Sequence, residues 1–278
     1  MSDDMIHPED EAARLMRGGD TGMYIRFVVA VLGVIPWVGS IISASAALSA
    51  EKEQSALNMT LQRWLEEHEE KLRDLQGSIV RVTQRVEGLG EEARERLNSD
   101  DFLPLARRAY RGWDRAQTQE KRRLFERLLT NAAGTRLSDD DMVRLFIDWI
   151  DRYDEAHFRI ISAVYKNPGI SRHGIWQIVG PPGPTPRENS SEADLYRMLI
   201  HDLSTGRVLR QQRAVDGSGR FLKKSTRGVG RRGQASPYMK SSFDQVEPYE
   251  LSELGAVFVH YVLTDTVGRI EGGGHESL

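Results

Sequence analysis

Cysteine is absent from the 278 residues, which excludes disulfides, thiolate zinc sites and cysteine nucleophiles and fits a reducing cytosol. Catalytic spacing is equally scarce. The seven histidines stand far apart, in no H-E-x-x-H or H-x-H arrangement, and there is no G-x-S-x-G elbow and no P-loop. Nothing identifies a nucleophile, an acid–base pair or a ligand set, so the chain is expected to be non-enzymatic and to need no metal and no cofactor. One G-x-G-x-x-G match occurs, at Gly228, Gly230 and Gly233, but Pro237 follows where a dinucleotide site needs a helix. Arginines between those glycines describe a basic loop suited to phosphates or acidic lipid, and a plain connector is an equal reading.

Charge is missing from Phe27–Ala50, FVVAVLGVIPWVGSIISASAALSA, in a chain that is 28% charged. The residues before it are net acidic, so it lacks the basic flank of a secretory signal and export is not expected. Pro36, flanked by Gly33 and Gly39, breaks it into a helix near 23–34, a turn, and a second helix from about Trp37. No polar stripe runs through the apolar half, so burial is required on every side, by protein or by lipid. Pro36 and the short apolar length argue against a single span. The segment is expected to lie in an oligomer or helical bundle and to be able to enter a membrane, with Phe27, Val31, Ile35, Trp37 and Ile41 as its core.

From Leu61 the apolar positions alternate in steps of four and three: Leu61, Leu65, Leu72, Leu75, Ile79, Val82, Val86 and Leu89, with His68 as the one polar member. This heptad seam predicts a coiled-coil helix that joins copies of the chain, ended by Gly88 and Gly90. A further helix is expected from Asn98 or Ser99 to Gly134. Another is expected after Ser138, where Asp139, Asp140 and Asp141 make a first turn suited to the helix dipole rather than a metal cluster.

The net charge of −3 conceals a block, residues 151–240, with sixteen basic against eight acidic side chains, +8. Such a block suggests an anionic partner or an acidic surface of the same protein. Its layout is AHFRIISAVYKNPG, then SRHGIWQIVG, then SSEADLYRMLIHDLSTG with Leu195, Leu199 and Leu203 on one face. Two strands follow, VLRQQRAV and RFLKKST, about the turn Asp216-Gly217-Ser218-Gly219. Three helices and a hairpin in this order resemble a winged helix-turn-helix domain over roughly 154–226. The resemblance implies a third helix in the major groove and a wing on the backbone. By position it implies nucleic-acid or partner contacts from Arg187 and Arg197 near the reading helix, and from Arg220, Lys223 and Lys224 on the wing. The basic loop adds Arg227, Arg231 and Arg232. Glu192 and Asp194, in the first turn of that helix, oppose phosphate, and winged helices also serve as protein-binding modules. The closing YELSELGAVFVHYVL predicts a helix with Leu251, Leu254, Phe258, Tyr261 and Val262 on one face.

The expected architecture is mainly α. An apolar helical hairpin (1–55), a coiled-coil helix (56–97) and a helical region (98–153) precede a winged-helix α+β domain (154–240) and a closing helix with its tail (241–278). As a whole the layout resembles bacterial membrane effectors of phage defence, in which a sensor module controls a membrane-disrupting segment. That resemblance implies a cytoplasmic protein, peripheral or inserted at the inner membrane, self-associated, with a nucleic acid or a protein on its winged domain. The other reading is a soluble winged-helix DNA-binding regulator whose apolar amino-terminal segment is the core of a dimerisation domain.

Overall fold

The computed structural model describes residues 24–40, 55–135, 139–212, 216–218, 220, 241–243, 245 and 247–263, with side chains of the helix spanning 55–89 described from His68 onward. These residues form two compact units: one drawn from 24–152 and 261–263, the other Tyr153–His260. Among the described residues the protein is mainly helical, with one three-stranded antiparallel sheet.

In the first unit, α1 (Ile25–Leu32) ends at a turn over Gly33 and Val34, and residues 36–40 are helical again. Pro36 opens that turn of helix, where its missing N–H costs nothing. The absence of a polar stripe is answered by burial in protein. Phe27, Val28 and Val31 are fully buried, Ile35 and Val38 nearly so, and α1 packs on α4 (Leu103–Arg115) with Phe27 edge-on to Tyr110. Trp37 is half-buried and donates from Nε1 to Asp114 at 2.6 Å. Ile41 lies outside the described residues. No helix among those described is long and apolar enough to cross a membrane.

The long helix α2 (Ser55–Leu89) turns at Gly90, whose φ of +97° suits glycine, into α3 (Glu91–Leu97). Its seam is covered within the chain itself. Leu75, Ile79, Val82 and Val86 are buried, Leu72 is half-buried, and the helix packs on α3 and on α5 (Gln119–Gly134). This stretch therefore needs no second copy to leave water, in contrast to the coiled-coil expectation. The side chains of Leu61 and Leu65 lie outside the described residues.

The single helix expected over 98–134 is two helices. Pro104 stands in the first turn of α4, Ala116 leaves the helix in extended conformation, and the Thr118 side chain caps α5 by accepting from Lys121 N at 3.3 Å. α4 and α5 approach closely because Gly112 carries no Cβ, which would stand 2.4 Å from the Phe125 ring. Glu126, buried on α5, accepts from Arg81 Nε at 2.8 Å, Arg81 Nη2 at 2.7 Å and Trp113 Nε1 at 3.3 Å, so the core charge is paired. At the start of α6 (Asp140–Arg152) the three aspartates 139–141 take separate partners. Asp139 accepts from Met142 N at 2.8 Å, Asp140 bridges Arg96 at 2.6 Å and Asp141 bridges Arg144.

The second unit runs α7 (Glu155–Lys166), β1 (Ile170–Ser171), α8 (Arg172–Val179), α9 (Ser191–Thr205), β2 (Leu209–Gln211), β3 (Pro248–Leu251) and α10 (Glu253–Val262), whose last two residues group with the first unit. The sheet order is β1-β3-β2, all antiparallel, with Arg210 opposite Glu250 and ion-paired to it at 2.7 Å. Among the described residues the strand paired with β2 is Pro248–Leu251; of the strand expected over 220–226, residues 221–226 lie outside the described residues. The turn is where the sequence puts it: Asp216 Oδ1 accepts from Ser218 N at 2.9 Å and Arg220 N at 3.0 Å. The closing helix starts later than its apolar pattern suggests. Ser252 Oγ accepts from Gly255 N at 2.9 Å as a cap, which leaves Leu251 in the strand.

Candidate partner-binding surface

α8 and α9 are placed by short polar caps and held by aromatic packing. Ser171 accepts from Gly174 N and Ser190 from Ala193 N, each at 3.2 Å, so both helices begin where a side chain satisfies a free backbone donor. The Tyr196 hydroxyl donates to Arg172 O at 2.6 Å, and Arg172 Nε donates to the Tyr249 hydroxyl at 2.8 Å, which ties α9 to α8 and to β3. Burial pushes the Tyr196 phenol well up, so it stays a neutral donor. Trp176 meets Tyr196 and Phe243 edge-on at 5.3 and 5.2 Å, and Tyr196 and Phe243 stack at 5.5 Å.

The same contacts fix residues 241–243 against the loop before α9. Glu188 accepts the Ser241 hydroxyl and, with its two oxygens, Ser242 N at 3.1 and 3.0 Å. Burial raises this carboxyl, but the bonds from Ser241 and Ser242 and the Arg197 guanidinium outweigh that and hold it below the ordinary carboxylate range. Arg197 is drawn into the clasp. It donates to Ser242 Oγ at 2.6 Å, pairs with Asp194 at 2.7 Å and reaches Glu188 at 3.3 Å.

The outer face of α9 mixes acidic residues, Arg197 and His201 with two large apolar side chains. Its inner stripe is Ala193, Tyr196, Leu199, Ile200 and Leu203. Leu195, expected on that stripe, is 53% exposed, because successive steps of four rotate away from a common face, and Met198 one turn on is 50% exposed. Ile178 on α8 is 55% exposed. Beside Leu195 opens a cleft of ≈ 190 Å³ between α7, α8 and α9, walled chiefly by Ile160, Trp176, Val179, Tyr196 and Leu199, with Arg159 and Glu192 as its charged members. Its volume suits one apolar side chain.

Among the residues expected to contact nucleic acid or a partner, Arg187 and Arg220 are exposed and Arg197 is engaged by its own chain. Lys223, Lys224, Arg227, Arg231 and Arg232 lie outside the described residues. Sequence reasoning did not find Glu188, Ser241 and Ser242, which meet across more than fifty residues without a local signal. It could have found Leu195 and Met198, which stand off the stripe set by Ala193, Tyr196 and Leu203. No family model, curated protein or solved structure matches the chain.

Proposed function

We propose that this is a non-enzymatic protein whose second unit is a winged helix that holds a protein partner on its third helix. Three helices, a short strand after the first, β2 directly after the third and the sheet order β1-β3-β2 support the winged-helix reading. The wing would then be the whole span from β2 to β3, with the Asp216 turn at its start and the basic loop inside it.

One observation carries the choice of partner class. The arginine of α9, Arg197, is occupied by Asp194, Glu188 and Ser242, while Leu195 and Met198 stand in water. A helix that reads base edges needs free donors and a cationic surround. Here Glu192 and Asp194 repel phosphate and two large apolar side chains invite a desolvated contact, the chemistry of a protein interface.

Fluorescence anisotropy with a random-sequence duplex, followed across salt, tests this with the full chain. Duplex affinity arising from the wing alone falls on changing Arg220, Lys223 and Lys224 to Ala, with the salt slope reduced by about one per lost contact, and is unchanged by Leu195→Ser with Met198→Ser. If the α9 pair instead abolishes duplex binding, α9 lies in a groove and the DNA-binding reading is correct.

A further inference from the structure

The first unit carries a surface of a different kind. Its arginines mostly meet acids: Arg81 with Glu126, Arg94 with Glu87, Arg96 with Asp140, Arg108 with Asp148, Arg115 with Asp151 and Arg122 with Asp74. Arg107 and Arg111 do not. They stand one turn apart on α4, both exposed, with no hydrogen bond or ion pair to another described residue. Residues at this spacing project side by side, so two guanidinium groups are presented together. They flank an open groove of ≈ 690 Å³ between α1 and α4, whose floor and opposite wall are Ile25, Val29, Ala30, Val34 and Leu103. The remaining charged members, Arg26 and Asp100, pair with each other.

We propose that this groove docks the first unit on an anionic phospholipid surface, with Arg107 and Arg111 on headgroup phosphates and Val29 and Val34 against the glycerol and upper acyl region. Charge complementarity selects an anion, and the forked donors of arginine match phosphate oxygens. The apolar wall selects the source. A free phosphate has no use for half-exposed Ile25, Val29 and Val34, whereas a lipid interface leaves an apolar layer directly beneath its phosphates. Val29, Ala30 and Val34 belong to the sequence Phe27–Ala50, which carries no charge. Because the chain as a whole is −3, attraction to an anionic bilayer has to come from a local surface such as this one. The docking lies along the interface and requires no span.

Co-sedimentation of the full chain with vesicles tests the proposal. The chain pellets with vesicles of equal parts phosphatidylcholine and phosphatidylglycerol and stays in solution with phosphatidylcholine alone. Arg107→Gln with Arg111→Gln lowers partitioning roughly 25-fold, about fivefold for each basic residue removed from an anionic surface. The same loss of charge at two exposed arginines away from the groove, Arg85→Gln with Arg123→Gln, leaves it unchanged, and circular dichroism checks that both variants fold. Val34→Ser, which keeps every charge, weakens partitioning as well. Failure of the wild-type chain to pellet, or equal loss in both arginine pairs, overturns the proposal. Release of the chain by inorganic phosphate, at an ionic strength where chloride does not release it, shows a phosphate-ion site instead and overturns it too.

Discussion

α1 and α9 make opposite use of apolar side chains. α1, IRFVVAVL, is the more hydrophobic of the two, yet it keeps Phe27, Val28 and Val31 wholly out of water by packing on α4. α9 alternates charge with apolar residues and buries a regular stripe, yet it leaves Leu195 and Met198 half exposed. A long apolar run is thus a weak pointer to an interaction surface, since a core can absorb much of it. Large apolar residues displaced from a helix's own buried stripe are a stronger one, because nothing among the described residues covers them.

The largest effect is expected from a charge placed in the buried face of α1. Val31→Arg places an unpaired cation where Val31 is fully buried, at a cost of about 3–5 kcal/mol, and Ile79→Asp does the same to the α2 seam. Both variants are expected to lose helical signal on heating well before the wild type. A Val31→Arg chain that melts like the wild type places this residue outside the core and restores a membrane-inserting role for the segment.

A smaller effect is expected from acid in the second unit. His157 is buried, stacks on Tyr153 at 5.0 Å, accepts from Asp154 N at 3.1 Å and stands 3.7 Å from Asp202. Burial lowers its pKa below the ordinary value, against the raising influence of Asp154 and Asp202. The unfolded chain therefore takes up the proton first as pH falls through about 6.5, and stability drops from there downward. Above that pH the ring is neutral in both states and contributes no pH dependence. Thermal melts between about pH 7 and pH 5 should show the decline, and His157→Gln should flatten it. A melting temperature that rises on acidification over this range contradicts the assignment.

Local chemistry was well marked in the sequence. Pro36 with its flanking glycines announced the break after α1, the segments SRHGIWQIVG and SSEADLYRMLIHDLSTG announced two helices, and Asp216-Gly217-Ser218 announced a turn. Long-range pairing was not. β3 is only four residues, Pro248–Leu251, and lies inside a pattern that also fits a helix, so its pairing with β2 had no local signature. The seam of α2 was visible as a period, but a period cannot say whether the covering helix comes from the same chain. Here α5 supplies it over Leu75–Val86. At the candidate surface, residue types were legible and their engagement was not. Arg197 read as a free cation until Ser242 and Glu188 were brought beside it.

Whether α9 presents its apolar side to a protein is answered by site-specific photocrosslinking. A benzophenone side chain placed at Leu195 or at Met198 of the full chain, irradiated in the producing cell, is expected to join to a polypeptide at one defined mass. The same group at Tyr165, an exposed residue on α7 away from the cleft, should not. Competition by an unlabelled chain carrying Leu195→Ser and Met198→Ser should be lost, and those changes should alter stability by less than about 0.5 kcal/mol. Crosslinks to nucleic acid at these positions, or the same products from Tyr165 as from Met198, would show that α9 is not a protein-binding face.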